Sequence, residues 1–119
     1  MLLVDDDELL RAQVAEVLLE IGLKVTEAPD AEHALAMTAN EDPPTLVVTD
    51  VNLGPGMNGF ELVIAARHRW PAVPVLMISG LASNFVGRQP GIADRFLRKP
   101  FPCSSLLHEV RALSGQVGE

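Results

Sequence analysis

The chain has no tyrosine, a single tryptophan and a single cysteine, and only nine lysines and arginines against sixteen aspartates and glutamates. Each scarcity excludes something. Cys103 alone closes no internal disulfide, so the fold rests on packing and suits a reducing compartment, with the cytoplasm as the expected location. The longest largely apolar run, residues 73–82, contains Pro74 and falls well short of the roughly 20 residues that a membrane-spanning helix needs. Basic charge is too sparse for a nucleic-acid face, which requires clustered lysine and arginine on an accessible surface. His33, His68 and His108 fall in separate predicted helices without ligand spacing, and read as surface residues. There is no internal repeat, linker or low-complexity tract.

What is present is one domain's worth of apolar residues. At 119 residues and 48% hydrophobic, the chain is read as a single domain, residues 1–119, which buries roughly two-thirds of the surface its unfolded form exposes. Short, nearly continuous apolar runs at residues 2–4, 46–48, 73–78 and 96–97 fit strands buried on both faces, with residues 23–26 a weaker fifth. Helical spacing lies between them. Leu10, Val14, Val17, Leu18 and Ile21 mark a first helix over about residues 7–21, stopped by Gly22. Asp30 can cap a second helix ending near Asn40. Asn58 opens a third with Phe60, Val63 and Ile64 on one face, and Pro102 opens a last one with Leu106, Val110 and Leu113 inward. Strands alternating with helices imply right-handed βαβ units and a doubly wound parallel α/β sheet.

In such sheets, ligands sit outside the carboxyl ends of the strands. That places Asp5 and Asp6 after the first strand, Asp50 after the third, Ser79 after the fourth and Lys99 after the fifth, all on one edge. Singly, each has an ordinary explanation: an acid complementing a helix dipole, a turn residue, a solvated lysine. Together, a carboxylate cluster, a hydroxyl and one ammonium form the makings of a metal-assisted phosphoryl site. The charge is also lopsided. Residues 1–50 carry twelve acids against Arg11 and Lys24, and the stretch "LLVDDDELL" packs four of them together, which calls for a cationic partner.

The stretches "LLVDDDELLR", "LVVTDVNLGPGMNGFEL", "PVLMISG" and "FLRKPF", in that order, resemble the receiver domains of two-component response regulators. The resemblance implies a flavodoxin-like (βα)5 fold of strand order 2-1-3-4-5 and a phosphoryl group passed from a histidine kinase, or a histidine phosphotransfer domain, to Asp50. It also implies Mg²⁺ held by Asp6, Asp50 and the main-chain carbonyl of Asn52, with Asp5 reaching it directly or through water. Lys99 and the Ser79 hydroxyl would bind the remaining phosphoryl oxygens, and Ser79 and Phe96 would act as the switch pair. The chain would be a phosphoacceptor rather than an enzyme acting on a separate substrate. No direct nucleic-acid contact or membrane insertion is expected of it, and a homodimer is left open. The output partner is not implied, and the abrupt start at the first strand favours a piece of a longer protein, such as the receiver of a hybrid sensor kinase.

The chain departs from the family pattern in three places. Phe96 lacks the phenolic oxygen often found there, so a switch must work through packing. The interval from Asp50 to Gly59 is one residue longer than usual and holds Gly54, Pro55 and Gly56. Between the fourth and fifth strands, Gly87, Pro90 and Gly91 leave only residues 81–88 for the fourth helix, which is therefore expected to be short or irregular, the least ordered part of the chain, with either a partner surface shifted toward the fifth strand and last helix or a fourth helix ordered only on phosphorylation or binding. Other classes remain. A degenerate receiver would serve only protein contact. A Mg²⁺-dependent aspartyl-phosphate phosphatase of the haloacid dehalogenase type would want a second aspartate where Asn52 stands, and an FMN binder would be repelled by four acids after the first strand.

Overall fold

The computed structural model describes residues 1–79 and 94–118. Its strands are β1 (Leu2–Val4), β2 (Thr26–Ala28), β3 (Val47–Asp50), β4 (Val75–Ser79) and β5 (Arg95–Arg98). All pair in parallel in the order β2-β1-β3-β4-β5, the expected order. Among the described residues there are four helices: α1 (Glu8–Glu20), α2 (Ala31–Met37), α3 (Gly59–Arg69) and α4 (Cys103–Gly118). The segment that should hold the short or irregular helix between β4 and β5 lies outside the described residues.

Period-two alternation along the strands divides the core in two. Leu2, Val4, Val47, Val75 and Met77 face Ala31, Ala34, Leu62, Val63 and Ala66, whereas Leu3, Val48, Leu76 and Ile78 face Val14, Leu18, Leu106, Val110 and Leu113. Both faces of the sheet are covered, which is why its strands read as unbroken apolar runs. The edge strand β5 follows the same rule with Phe96 and Leu97 packed on opposite sides.

Local signals fix the helix ends. Asp7, Asp30 and Asn58 each accept a backbone N–H of the first turn, and Asn58 and Glu61 form a reciprocal capping box. At the end of α1, Gly22 takes φ +91°, its N–H reaching the Leu19 carbonyl and that of Leu23 the Leu18 carbonyl, a Schellman closure that only glycine enters without strain.

Three expectations shift. The second strand starts at Thr26 rather than Leu23, because Leu23 is consumed in closing α1 and Thr26 is the first to join the ladder, through Met1 O. α2 stops at Met37, not near Asn40: the Thr38 hydroxyl donates to Ala34 O, and Arg69 Nη1 donates to Leu35 O and Thr38 Oγ1. Ile64 is half-exposed rather than inward; Leu62 and Ala66 join Phe60 and Val63 on the buried face of α3.

Candidate functional site

Five parallel strands deliver their carboxyl ends to one edge, and the buried polar residues there are Asp5, Asp50 and Ser79. Asp5 and Asp50 solve the exit from a strand in the same way. Asp5 Oδ1 accepts the N–H of Asp7 at 2.9 Å, and Asp50 Oδ1 accepts that of Asn52 at 3.2 Å, so each carboxylate turns back over its own chain and is held there. Asp6 is exposed at the rim. Carboxylate oxygens of Asp5, Asp6 and Asp50, one from each, all lie within 4.8 Å of one another.

Lys99 reaches this cluster from the far side of the sheet. Its N–H donates to Ser79 O at 2.9 Å, extending the β4–β5 ladder past the strand end, and a cis peptide bond to Pro100 follows. Its ammonium lies 2.7 Å from Asp50 Oδ2 and 3.8 Å from Asp5 Oδ2. Burial presses the Lys99 ammonium toward deprotonation, but the hydrogen bond it donates to Asp50 and the charges of Asp50, Asp5 and Asp7 outweigh it and leave its pKa raised. Asp5 is also raised, first by burial and then by the charges of Asp50 and Asp6, against the lowering effects of the Asp7 N–H and Lys99.

Arg11, the cation nearest in sequence to the acidic stretch, does not answer it. Its Nη1 donates to the main-chain carbonyl of Asp5 and its Nε to Glu27 Oε1, tying α1 to the end of β1 and to β2. Three carboxylates therefore face one ammonium. The two uncompensated negative charges and the hard oxygen donors fit a divalent cation of the Mg²⁺ class.

The loop after β3 wraps this cluster. Gly54 and Gly56 take φ +81° and +92°, and the Asn52 side chain accepts the N–H of Gly54 at 3.3 Å. Gly59 is required for closeness rather than for torsion: a Cβ there would sit 2.1 Å from Asp50 O. Phe96 is partly buried against Met77 and the core beside it. His33 is exposed and bonds the Asp30 carboxylate, and His68 and His108 are exposed.

The structure thus brings together Asp5, Asp6, Asp50 and Lys99 directly, with Ser79 and Asn52 adjacent through main-chain bonds. Sequence reasoning missed the parts played by Arg11 and Glu32. Glu32, on α2, accepts the N–H of Met57 at 2.9 Å from the middle of the loop after β3, and no spacing along the chain announces a bond across 25 positions.

A doubly wound sheet whose carboxyl edge gathers three acids opposed by one lysine defines the flavodoxin-like α/β class with a charged crevice at its strand ends. The chain belongs to the response regulator receiver domain family, whose model matches residues 1–111. It is 36% identical over 115 residues to the transcriptional regulatory protein TcrA of Mycobacterium tuberculosis, covering 95% of this chain and 45% of that protein. It is 39% identical over 109 residues to the response regulator protein FleR of Pseudomonas aeruginosa, covering 89% and 22%. The chain thus spans less than half the length of these relatives. The receiver domain of NtrX from Brucella abortus superposes with a TM-score of 0.85 at 30% identity, over 96% of this chain and 97% of that one. Vibrio cholerae chemotaxis protein CheY4 gives 0.84 at 30%, over 94% and 95%. This is a receiver domain of two-component response regulators, and the phosphatase, FMN-binding and degenerate readings are not favoured. No helix among the described residues is long and apolar enough to cross a membrane.

Proposed function

We propose that this domain, residues 1–119, accepts a phosphoryl group on Asp50 from a histidine kinase or histidine phosphotransfer domain and thereby switches a partner-binding face. The observation that carries the reading is the ammonium of Lys99 at 2.7 Å from the buried Asp50 carboxylate, among acids gathered from two strands. Asp6, Asp50, the main-chain carbonyl of Asn52 and Asp5, directly or through water, would hold Mg²⁺. Once bound, the ion supplies positive charge that cancels repulsion between these acids and an incoming phosphoryl oxygen.

The residues do the rest by position. Asp50 keeps lone pairs beyond those used by Asn52 and Lys99, so a carboxylate oxygen can attack phosphorus in line with the histidine nitrogen; the O–P bond forms as the N–P bond breaks, and the imidazole leaves with that electron pair. No general base is needed, because a carboxylate nucleophile has no proton to lose as the O–P bond forms. Lys99 exchanges part of its bond to Asp50 for one to the transferred group, and the Ser79 hydroxyl donates to another oxygen. Burial of Asp5, Asp50 and Ser79 keeps bulk water from competing with these fixed donors. Recruitment of Ser79 would leave room for Phe96 to move inward, a packing change on β5 that reports the modification to α4 and its neighbours. The domain catalyses its own phosphorylation and dephosphorylation in the cytoplasm, as a receiver of a longer regulator or of a hybrid sensor kinase.

Beryllofluoride, an unreactive stand-in for the phosphoryl group, tests this reading. With Mg²⁺ it should raise the melting temperature of wild type and shift the backbone resonances of residues 50, 79 and 99, with no change in Asp50→Asn. An equal response in Asp50→Asn would remove Asp50 from the role.

A further inference from the structure

The loop after β3 is where this chain departs from its family's spacing, and it is held by a side chain outside the crevice. Residues 52–58 contain two glycines at positive φ, so the segment loses much backbone freedom when fixed and needs anchors. Its ends are anchored locally, at Asn52 through the Gly54 N–H and at Asn58 through the capping box with Glu61. Its middle is anchored from α2. Glu32 Oε2 accepts the Met57 N–H at 2.9 Å, a charge-assisted bond, and the Gly56 backbone presses so close that a Cβ there would meet Glu32 Oε2 at 2.8 Å and its Oε1 and Cδ at 3.4 Å. On its other side the same loop touches the acidic cluster. A Cβ at Gly54 would lie 3.5 Å from Asp6 Oδ2, so the backbone runs alongside that carboxylate.

We propose that Glu32 is a positioning residue for the cation site: by fixing residues 54–57 it holds the loop against Asp6, which is otherwise an exposed side chain at the rim. The proposal rests on the reading of Asp6 as a metal-binding carboxylate. Glu32 also carries charge, and an acid near the cluster would attract a cation whether or not it held the loop. The amide variant separates the two effects, because Glu32→Gln loses the charge but keeps an acceptor for the Met57 N–H, whereas Glu32→Ala loses both.

Mg²⁺ titrations of wild type, Glu32→Gln, Glu32→Ala and Gly56→Ala, followed by isothermal calorimetry and by melting temperature, read the difference without any phosphoryl donor. Glu32→Ala should weaken Mg²⁺ binding about tenfold, at the lower end of what removing an outer-shell partner does, with Glu32→Gln within about twofold of wild type. Gly56→Ala adds a methyl group that displaces the carboxylate and strains a residue at φ +92°, so its Mg²⁺ affinity should fall at least as far as that of Glu32→Ala. The melting temperature in chelator should change far less than the Mg²⁺ affinity. Wild-type affinity in Glu32→Ala, or a Glu32→Gln as impaired as Glu32→Ala, would overturn the positioning role while leaving the cation site in place. A wild type that binds no Mg²⁺ would overturn the cation site and this role with it.

Discussion

At the amino-terminal end of the sheet, Trp70 and Val73 are buried near Pro44 and Pro74, and the Arg69 guanidinium lies 5.3 Å from the centre of the Trp70 ring while bonding the Leu35 carbonyl and the Thr38 hydroxyl at the end of α2. At the carboxyl end, the buried side chains include the polar Asp5, Asp50 and Ser79, and glycines let backbone approach carboxylates and carbonyls. The first end gains from burial; the second keeps an excess of negative charge that water and one lysine only partly relieve. The contrast shows a division of labour: packing beneath the site supplies the stability that lets a repulsive cluster persist at its mouth.

Truncation at the stable end should be the largest stability effect. Trp70→Ala removes a buried aromatic and the seat of Arg69, and should cost about 3–5 kcal/mol. Denaturant melts check the loss, and the rise in melting temperature with Mg²⁺ should survive in the variant. A loss of that Mg²⁺ response would mean that the two ends are not separable.

Gly59→Ala probes the boundary between them. Its methyl group has to displace Asp50 main chain, and such overpacking costs roughly 1–3 kcal/mol. The same variant should also lower phosphoryl uptake, because the displaced strand end carries the acceptor.

Lys99→Met sharpens the comparison from the charged side. Removing the ammonium leaves Asp50 and Asp5 facing each other without a cation, at a cost of about 1–3 kcal/mol in chelator. Mg²⁺ should restore more stability to Lys99→Met than it gives wild type, a difference that paired melts would show.

The smallest effect is a pH dependence. Folding raises the pKa of Asp5, so the folded state binds its proton more tightly than the unfolded chain does. Well below 3.8, the ordinary value, both forms are protonated and Asp5 adds no pH dependence. As pH climbs past 3.8, the unfolded chain releases the proton first, so stability falls until folded Asp5 has also ionised. In chelator, Asp5→Asn should abolish this fall and be more stable than wild type at neutral pH. If the two proteins keep the same pH profile, Asp5 is not under the stress its surroundings imply.

Much of this was legible in the chain. The strands of the sheet's centre appear as apolar runs because they are covered on both faces, and Asp7, Asp30, Asn58 and Gly22 announce helix ends by local chemistry that needs no distant partner. The convergence of Asp5, Asp50, Ser79 and Lys99 was legible too, because parallel topology forces strand ends onto one edge. What escaped depended on three dimensions: Ile64 sits at helical spacing with Phe60 yet faces water, α2 ends early where Arg69 of α3 takes the Leu35 carbonyl and the Thr38 hydroxyl, and Glu32 reaches a loop 25 residues away. Arg11 was visible as the nearest cation, but only the structure shows that it serves the main chain of Asp5 and leaves the carboxylates to Lys99.

Intact-mass analysis after incubation with acetyl phosphate tests the central claim most directly. Wild type in Mg²⁺ should gain one phosphoryl group, chelator should prevent the gain, and Asp50→Asn should show none under either condition. A phosphoryl adduct on Asp50→Asn, or one that forms equally well in chelator, would contradict the assignment of the acidic crevice as a cation-dependent phosphoacceptor site.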